Sequence, residues 1–186
     1  MATLVYSAIT SLDGYVADRA GQFDWSVPDE QVHQRVNDLH RDVGTYLYGR
    51  RLYDVLVAWE ILDTTGEPPA VQEYARLWRA AHKVVYSTRL TAPRSARTQV
   101  EPTFDPDAVR RLLAGSPHDV LIGGPELAAQ AFHAGLVGEV HLFVSPVLVG
   151  GGTRALPRDL RVDLELLDVE RFGNGVVHLH HRVRLG

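Results

Sequence analysis

The sequence contains no cysteine. That absence removes thiol nucleophiles, zinc ribbons, iron–sulfur ligation and disulfide scaffolds together, and it fits a chain that folds in a reducing compartment. Positive charge is not in excess either: 19 Lys and Arg stand against 23 Asp and Glu, a formal net charge of −4. Domains that bind polyanions through net charge have the opposite balance, so nucleic acid is not an expected partner. Nowhere do 18 apolar residues run together, and the first ten residues show neither a basic leader nor a small-residue cleavage site. No membrane partner is therefore expected, and the protein reads as cytoplasmic and unprocessed. What the chain does have is an average globular composition, with 45% hydrophobic side chains over 186 residues. A single domain spanning residues 1–186 can bury roughly 70% of the surface of its unfolded chain and needs no covalent staple.

Hydrophobic periodicity gives the order of elements. Residues 2–10 read as a buried strand that ends in the turn Ser11-Leu12-Asp13-Gly14. Residues 15–27 read as a loop whose Phe23 and Trp25 suit a pocket wall. From Pro28 the period lengthens: Val32, Val36, Leu39 and Val43 form one stripe of a helix ending near Gly44, with Ser26 or Asp29 as its cap. A strand at 45–48 leads through Gly49-Arg50-Arg51 into a second helix, and Val71, Tyr74, Trp78 and Ala81 share a face of a third. A strand at 83–86 ends in Ser87-Thr88-Arg89, and an edge strand is expected near Val100. Asp105, Pro106 and Gly115 bracket another helix with the residues such ends prefer. A strand at 120–122 enters Gly123-Gly124-Pro125, which opens a helix closed by Gly135. Residues 140–149 read as a long strand broken by Gly150-Gly151-Gly152. Segments 162–171 and 176–185 form a hairpin around Gly173-Asn174-Gly175, where positive φ is cheap. Strands alternating with helices and then a run of strands define an α/β fold, with a mainly parallel sheet and an antiparallel C-terminal edge.

In such sheets ligands bind at the carboxyl ends of the strands, where helix N-termini present unpaired N–H groups. Three turns qualify: Gly49-Arg50-Arg51, Ser87-Thr88-Arg89, and Ile122-Gly123-Gly124-Pro125-Glu126. Each combines close backbone approach, hydroxyls or guanidinium forks suited to phosphate. Glu126 must point aside for an anion to sit there. Residues 150–155 spell G-x-G-x-x-A after a strand, but Pro157 and Asp159 follow where a dinucleotide fingerprint needs a helix, so a Rossmann assignment fails. Asp13 is the leading candidate acid, with a turn-forming aspartate as the plain alternative. Asp29 and Glu30 sit where acids favour a helix dipole. His178 and His180 alternate onto one face of the last strand and His181 onto the other, and no carboxylate lies at strand spacing to complete a metal site. No metal is expected. His33 and His40 share a helix face as interface or surface residues.

Taken together, these segments resemble the dihydrofolate reductase-like superfamily. The resemblance rests on Ser11-Leu12-Asp13-Gly14-Tyr15, Tyr48-Gly49-Arg50-Arg51-Leu52-Tyr53, Leu121-Ile122-Gly123-Gly124-Pro125-Glu126-Leu127, Gly135-Leu136-Val137-x-Glu139 and Pro146-Val147-Leu148-Val149-Gly150-Gly151-Gly152. Within the superfamily the chain is most similar to stand-alone relatives of the C-terminal reductase domain of the riboflavin-biosynthesis deaminase-reductase. The resemblance implies a three-layer fold with a mixed sheet of about eight or nine strands, NADPH as hydride donor, and a homodimer. Carried over by position, Gly49, Arg50, Arg51, Ser87, Thr88 and Arg89 would hold the adenosine 2′-phosphate and pyrophosphate. Ile122, Gly123, Gly124, Pro125, Glu126 and Leu127 would lie over the diphosphate, with nicotinamide near Ala8, Val16 and Ala17. A small-molecule substrate would sit between Asp13, Trp25 and the first helix, Asp29 included, with Asp13 delivering the proton or hydrogen-bonding the substrate, directly or through water. Ile122 occupies the position where riboflavin reductases typically carry glutamate. The function so implied is an NADPH-dependent reductase acting on a C=N or C=O of a small heterocyclic or ribosyl substrate. The alternative is a non-catalytic NADP(H)-binding or sensing protein of the same fold.

Overall fold

A computed structural model describes residues 2–184. Ten strands and five α-helices follow one another as β1 (Leu4–Ser11), β2 (Tyr15–Ala17), α1 (Glu30–His40), β3 (Val43–Gly49), α2 (Arg50–Leu56), α3 (Pro69–Ala80), β4 (His82–Tyr86), β5 (Thr98–Glu101), α4 (Pro106–Gly115), β6 (Asp119–Gly123), α5 (Pro125–His133), β7 (Glu139–Ser145), β8 (Thr153–Arg154), β9 (Asp163–Arg171) and β10 (Val177–Arg184). Eight strands form one sheet in the order β5-β4-β3-β6-β1-β7-β10-β9, and β2 with β8 forms a small second sheet. The six strands from β5 to β7 run parallel, whereas β10 and β9 are antiparallel. The mainly parallel sheet with an antiparallel C-terminal edge is the one the periodicity predicts, and the three layers are those the resemblance implies.

Both faces of the central strands are covered, so their sequences are nearly continuous apolar runs. Leu4, Tyr6, Leu47, Val120 and Ile122 pack against α4 and α5 through Val109, Leu127, Ala131 and Phe132. On the other face Tyr46, Tyr48, Val85 and Leu121 meet Tyr53, Tyr74 and Trp78 of α2 and α3. A third cluster, Val32, Phe143, Phe172 and Val176, ties the start of α1 to β7 and the C-terminal hairpin.

Local chemistry sets the ends of the helices. Asp29 caps α1 by accepting from the Val32 N–H at 2.9 Å, and Asp105 caps α4 ahead of Pro106. The first helix stops at His40, and Val43 belongs to β3 rather than to the helical stripe. Three further features differ from the sequence reading. The expected strand 140–149 ends at Ser145, because Pro146 has no N–H to continue a ladder. Residues 15–27 are not wholly a loop, since β2 pairs with β8 within them. Of the hairpin turn residues only Gly175 has positive φ, at 89°. Leu185, included in the expected hairpin, lies outside the described residues.

Candidate active site

Strand register brings the three glycine and arginine turns to one level. Gly49 at the end of β3 pairs with Tyr86 at the end of β4, and Tyr48 pairs with Gly123 at the end of β6. Ser87-Thr88-Arg89, Gly49-Arg50-Arg51 and Gly123-Gly124-Pro125 therefore leave the sheet side by side, across roughly 10 Å at ordinary strand spacing. Two of the turns touch through glycine. Gly124 has φ 91°, and a Cβ there would lie 3.6 Å from the Gly49 backbone nitrogen, while one on Gly123 would meet Leu52 Cδ2 at 2.5 Å. No side chain caps α5, which leaves its first-turn amides for an acceptor at the positive end of the helix dipole.

The side chains on this ledge are already engaged with one another. Arg51 Nη1 donates to Glu126 Oε1 at 2.8 Å, so Glu126 points at the guanidinium and ties the start of α2 to the start of α5. Arg50 Nε donates to Asp54 Oδ2 at 3.3 Å, and Ser87 Oγ accepts from the N–H groups of Arg89 and Leu90. Thr88 and Arg89 are exposed, and Arg89 forms no ion pair among the described residues. Both arginine pairs are solvent-exposed and hence weak, so an incoming phosphate can compete for either fork. Ile122 and Leu127, expected to contact the diphosphate, are instead core residues beneath the ledge.

The ledge continues onto β1, where pairing with β6 covers only Leu4 to Tyr6 while pairing with β7 runs from Val5 to Ser11. Beyond Tyr6 the edge of β1 facing β6 has no strand partner, and Ala8 lies on this open stretch. Val16 and Ala17 on β2 are half-buried beside β1. Gly152 passes so close to β2 that a Cβ would lie 2.1 Å from the Ala17 carbonyl oxygen. The G-x-G-x-x-A run thus serves the contact between β8 and β2, as the missing helix implied.

Asp13 is engaged with the backbone of the segment after β7. Its two carboxylate oxygens accept from the backbone N–H groups of Val149, at 3.2 Å, and Gly150, at 2.8 Å. The Ser11 hydroxyl beside it, with those two amides, holds the carboxyl below the usual carboxylate range. A group kept ionised and filled with N–H donors is an acceptor, not a proton donor. Asp13 clamps the 146–150 segment to the turn after β1. Asp29 likewise spends an oxygen on its cap and does not line the cavity beside Trp25.

Trp25 does line a cavity, of about 230 Å³, with Ile9, Ser26, Val32, Ser145, Asn174 and Val176 among the walls. Its indole Nε1 is buried without a hydrogen-bond partner among the described residues. Ser145, the last residue of β7, and Asn174, in the C-terminal hairpin turn, escaped the sequence reading because they come from segments far apart in sequence, although the turn containing Asn174 was legible. No titratable side chain is among the residues lining the cavity.

The crossing order, the glycine ledge and the open β1 edge define the fold as dihydrofolate reductase-like. The chain belongs to the RibD C-terminal domain family, whose sequence model matches residues 2–178. It is similar to the Bacillus subtilis (strain 168) protein YyaP, itself uncharacterized, with 28% identity over 95% of this chain and 92% of that one. Among solved structures, a putative riboflavin biosynthesis protein from Shewanella sp. PV-4 superposes with a TM-score of 0.78 at 20% identity, covering 100% of both chains. RibD of Acinetobacter baumannii gives 0.71 at 18% identity over 99% of this chain, which spans 58% of that one. A pyrimidine reductase-like protein of Corynebacterium diphtheriae gives 0.67 at 14% identity, covering 99% and 92%. At these identities the structures speak for the fold.

Proposed function

We propose that the protein is an NADPH-dependent reductase that transfers hydride to a C=N or C=O carbon of a small heterocyclic or ribosyl substrate. The observation that carries this reading is the alignment of three phosphate-suited turns at the ends of β4, β3 and β6 with the open β1 edge at Ala8. The dinucleotide phosphates would meet Arg50, Arg51, Thr88, Arg89 and the first-turn amides of α5. The nicotinamide carboxamide would use the free backbone groups near Ala8, between β1 and β2. When bound, the cofactor supplies the hydride, and the protein's contribution is orientation and exclusion of water. The substrate would occupy the Trp25 cavity, against the indole ring. Because that wall has no acid, the proton would arrive through water held by Ser26 and Ser145 rather than from Asp13. The protein would act as a homodimer on a small-molecule substrate.

Titration with NADPH and NADH, followed by quenching of tryptophan fluorescence, tests the cofactor site. Micromolar NADPH binding, weakened about tenfold or more by Arg50→Ala with Arg51→Ala, supports it; tenfold corresponds to about 1.4 kcal/mol. Absence of binding by both fluorescence and calorimetry removes the reductase reading and leaves the fold. NADPH binding without oxidation across a panel of imines and carbonyl compounds selects the sensing alternative.

A further inference from the structure

Away from this ledge, at the opposite end of β7, lies a second group of polar side chains. Glu139 and His141 are alternate residues of β7, and on β10 His180 pairs with His141 and Arg182 with Glu139. His180 Nε2 lies 2.9 Å from Glu139 Oε2, and His141 Nε2 lies 3.9 Å from the same oxygen. The two imidazoles stack with centroids 3.9 Å apart and 19° between planes. One donor atom from each of the three residues falls within 4.8 Å of the other two. The carboxylate missing at strand spacing along β10 is thus supplied by the neighbouring strand.

We propose that Glu139, His141 and His180 form a binding site for a zinc-class divalent cation that bridges β7 and β10. A tetrahedral centre with nitrogen and oxygen ligands at about 2.0–2.1 Å sets its ligands roughly 3.3 Å apart. The distances of 2.9 and 3.9 Å to Glu139 Oε2 bracket that separation; because the two rings stack, one imidazole must also turn about its side-chain bonds for both lone pairs to meet one ion. Two imidazoles with one carboxylate select zinc, cobalt or nickel over magnesium or calcium, which prefer oxygen alone.

Surrounding groups support the donor set. His178 Nε2 lies 3.0 Å from His141 Nδ1; when it accepts that proton, the lone pair of His141 is left on Nε2, facing the carboxylate. Phe143 stacks on His178 at 4.4 Å and keeps the inner side apolar. Neighbouring cations are compensated, Arg182 by Glu165 and Arg35 by Glu170. His141 is 4% exposed at its side chain, against 19% for His180 and 27% for Glu139. The site therefore opens on one side, where an ion can enter and a water can take the fourth position. A cation here would clasp the hinge between the parallel body of the sheet and its antiparallel edge.

Calorimetric titration of the EDTA-treated full chain with Zn2+, and the visible absorption of added Co2+, test the site without reference to turnover. The expected result is one equivalent per chain with Kd below about 10 µM and a tetrahedral cobalt spectrum. His180→Ala and Glu139→Gln should each weaken binding tenfold or more and abolish the cobalt band. Changing the exposed His82 and His133 to Ala should leave both signals intact. Glu139→Gln keeps the shape of the side chain, so it decides the matter if His180→Ala fails to fold. Binding well below one equivalent, or binding indifferent to Glu139→Gln, overturns the proposal.

Discussion

Asp13 and Gly152 hold the same stretch of chain from opposite ends, by different means. Asp13 clamps residues 149 and 150 through charge-assisted hydrogen bonds, and Gly152 lets the chain pass against Ala17. Replacing Asp13 by Ala should speed amide hydrogen exchange at Val149 and Gly150 and lower kcat/KM on a found substrate, without removing an ionisation from the pH–rate profile. If an acid limb disappears from that profile, Asp13 is the proton donor after all. The glycines separate into two kinds. Gly150 has φ 71° with open space around it, so Gly150→Ala should cost about 1 kcal/mol of backbone strain. Gly152 has φ 133° and backbone atoms 2.1 Å from a Cβ, so Gly152→Ala must part β2 from β8 and should cost several times as much, about 3 kcal/mol or more. Urea unfolding midpoints of the two variants measure the contrast; equal losses contradict the close packing.

At the scale of elements, α1 gives a prediction in pH. His40 is buried against β3 and α3, with Nδ1 2.9 Å from the Tyr46 hydroxyl and its ring 5.3 Å from that of Tyr74. Burial, with a smaller contribution from His33 on the same helix, pushes its pKa down to about 4; His141 on β7 is a further titratable group within range. The unfolded chain therefore takes up this proton first on acidification. Stability from neutral His40 is complete above about pH 6.5 and is lost as the pH falls towards 4, at up to about 1.4 kcal/mol per unit. In EDTA, the unfolding free energy of the wild type should fall more steeply between pH 6.5 and 4.5 than that of His40→Leu. Parallel curves contradict the assignment. The sequence reading took His40 for a surface or interface residue because heptad spacing says which residues share a face, not what covers that face. The same distinction runs through the rest. Periodicity and capping residues located α3, α4, α5 and the parallel strands to within a few residues, and the glycine turns of the ledge were legible because strand, glycine and helix occur in order. Contacts across the sheet leave no local signal, so the Glu139 partner of the histidines, the clamp role of Asp13 and the walls of the Trp25 cavity were not legible.

For the whole molecule, the antiparallel edge is the surface that the proposed dimer would use. The β9 residues Asp168 and Glu170 turn towards α1, where Arg35 meets them, and Glu165 pairs with Arg182. The opposite face has no helix over it at this edge, and Leu164, Leu166 and Val169 are 42%, 56% and 56% exposed. These three pair with Val183, His181 and Leu179 of β10, so they form one row, and a register shift in this pairing between His180 and His181 twists the strand midway. Between Leu164 and Val169 this face carries no Asp, Glu, Lys or Arg. An uncharged apolar row is complementary to its own image about a two-fold axis, the condition for an isologous interface, and rows of this kind on soluble domains mark association surfaces. The proposed homodimer would form here, burying the row that the chain's own helices leave bare. Sedimentation equilibrium of the wild type should give twice the chain mass, and Leu166→Asp, which sets two carboxylates against each other across the axis, should shift it to the single-chain mass while far-ultraviolet circular dichroism stays unchanged. A wild-type monomer, or a dimer untouched by Leu166→Asp, removes β9 from the interface.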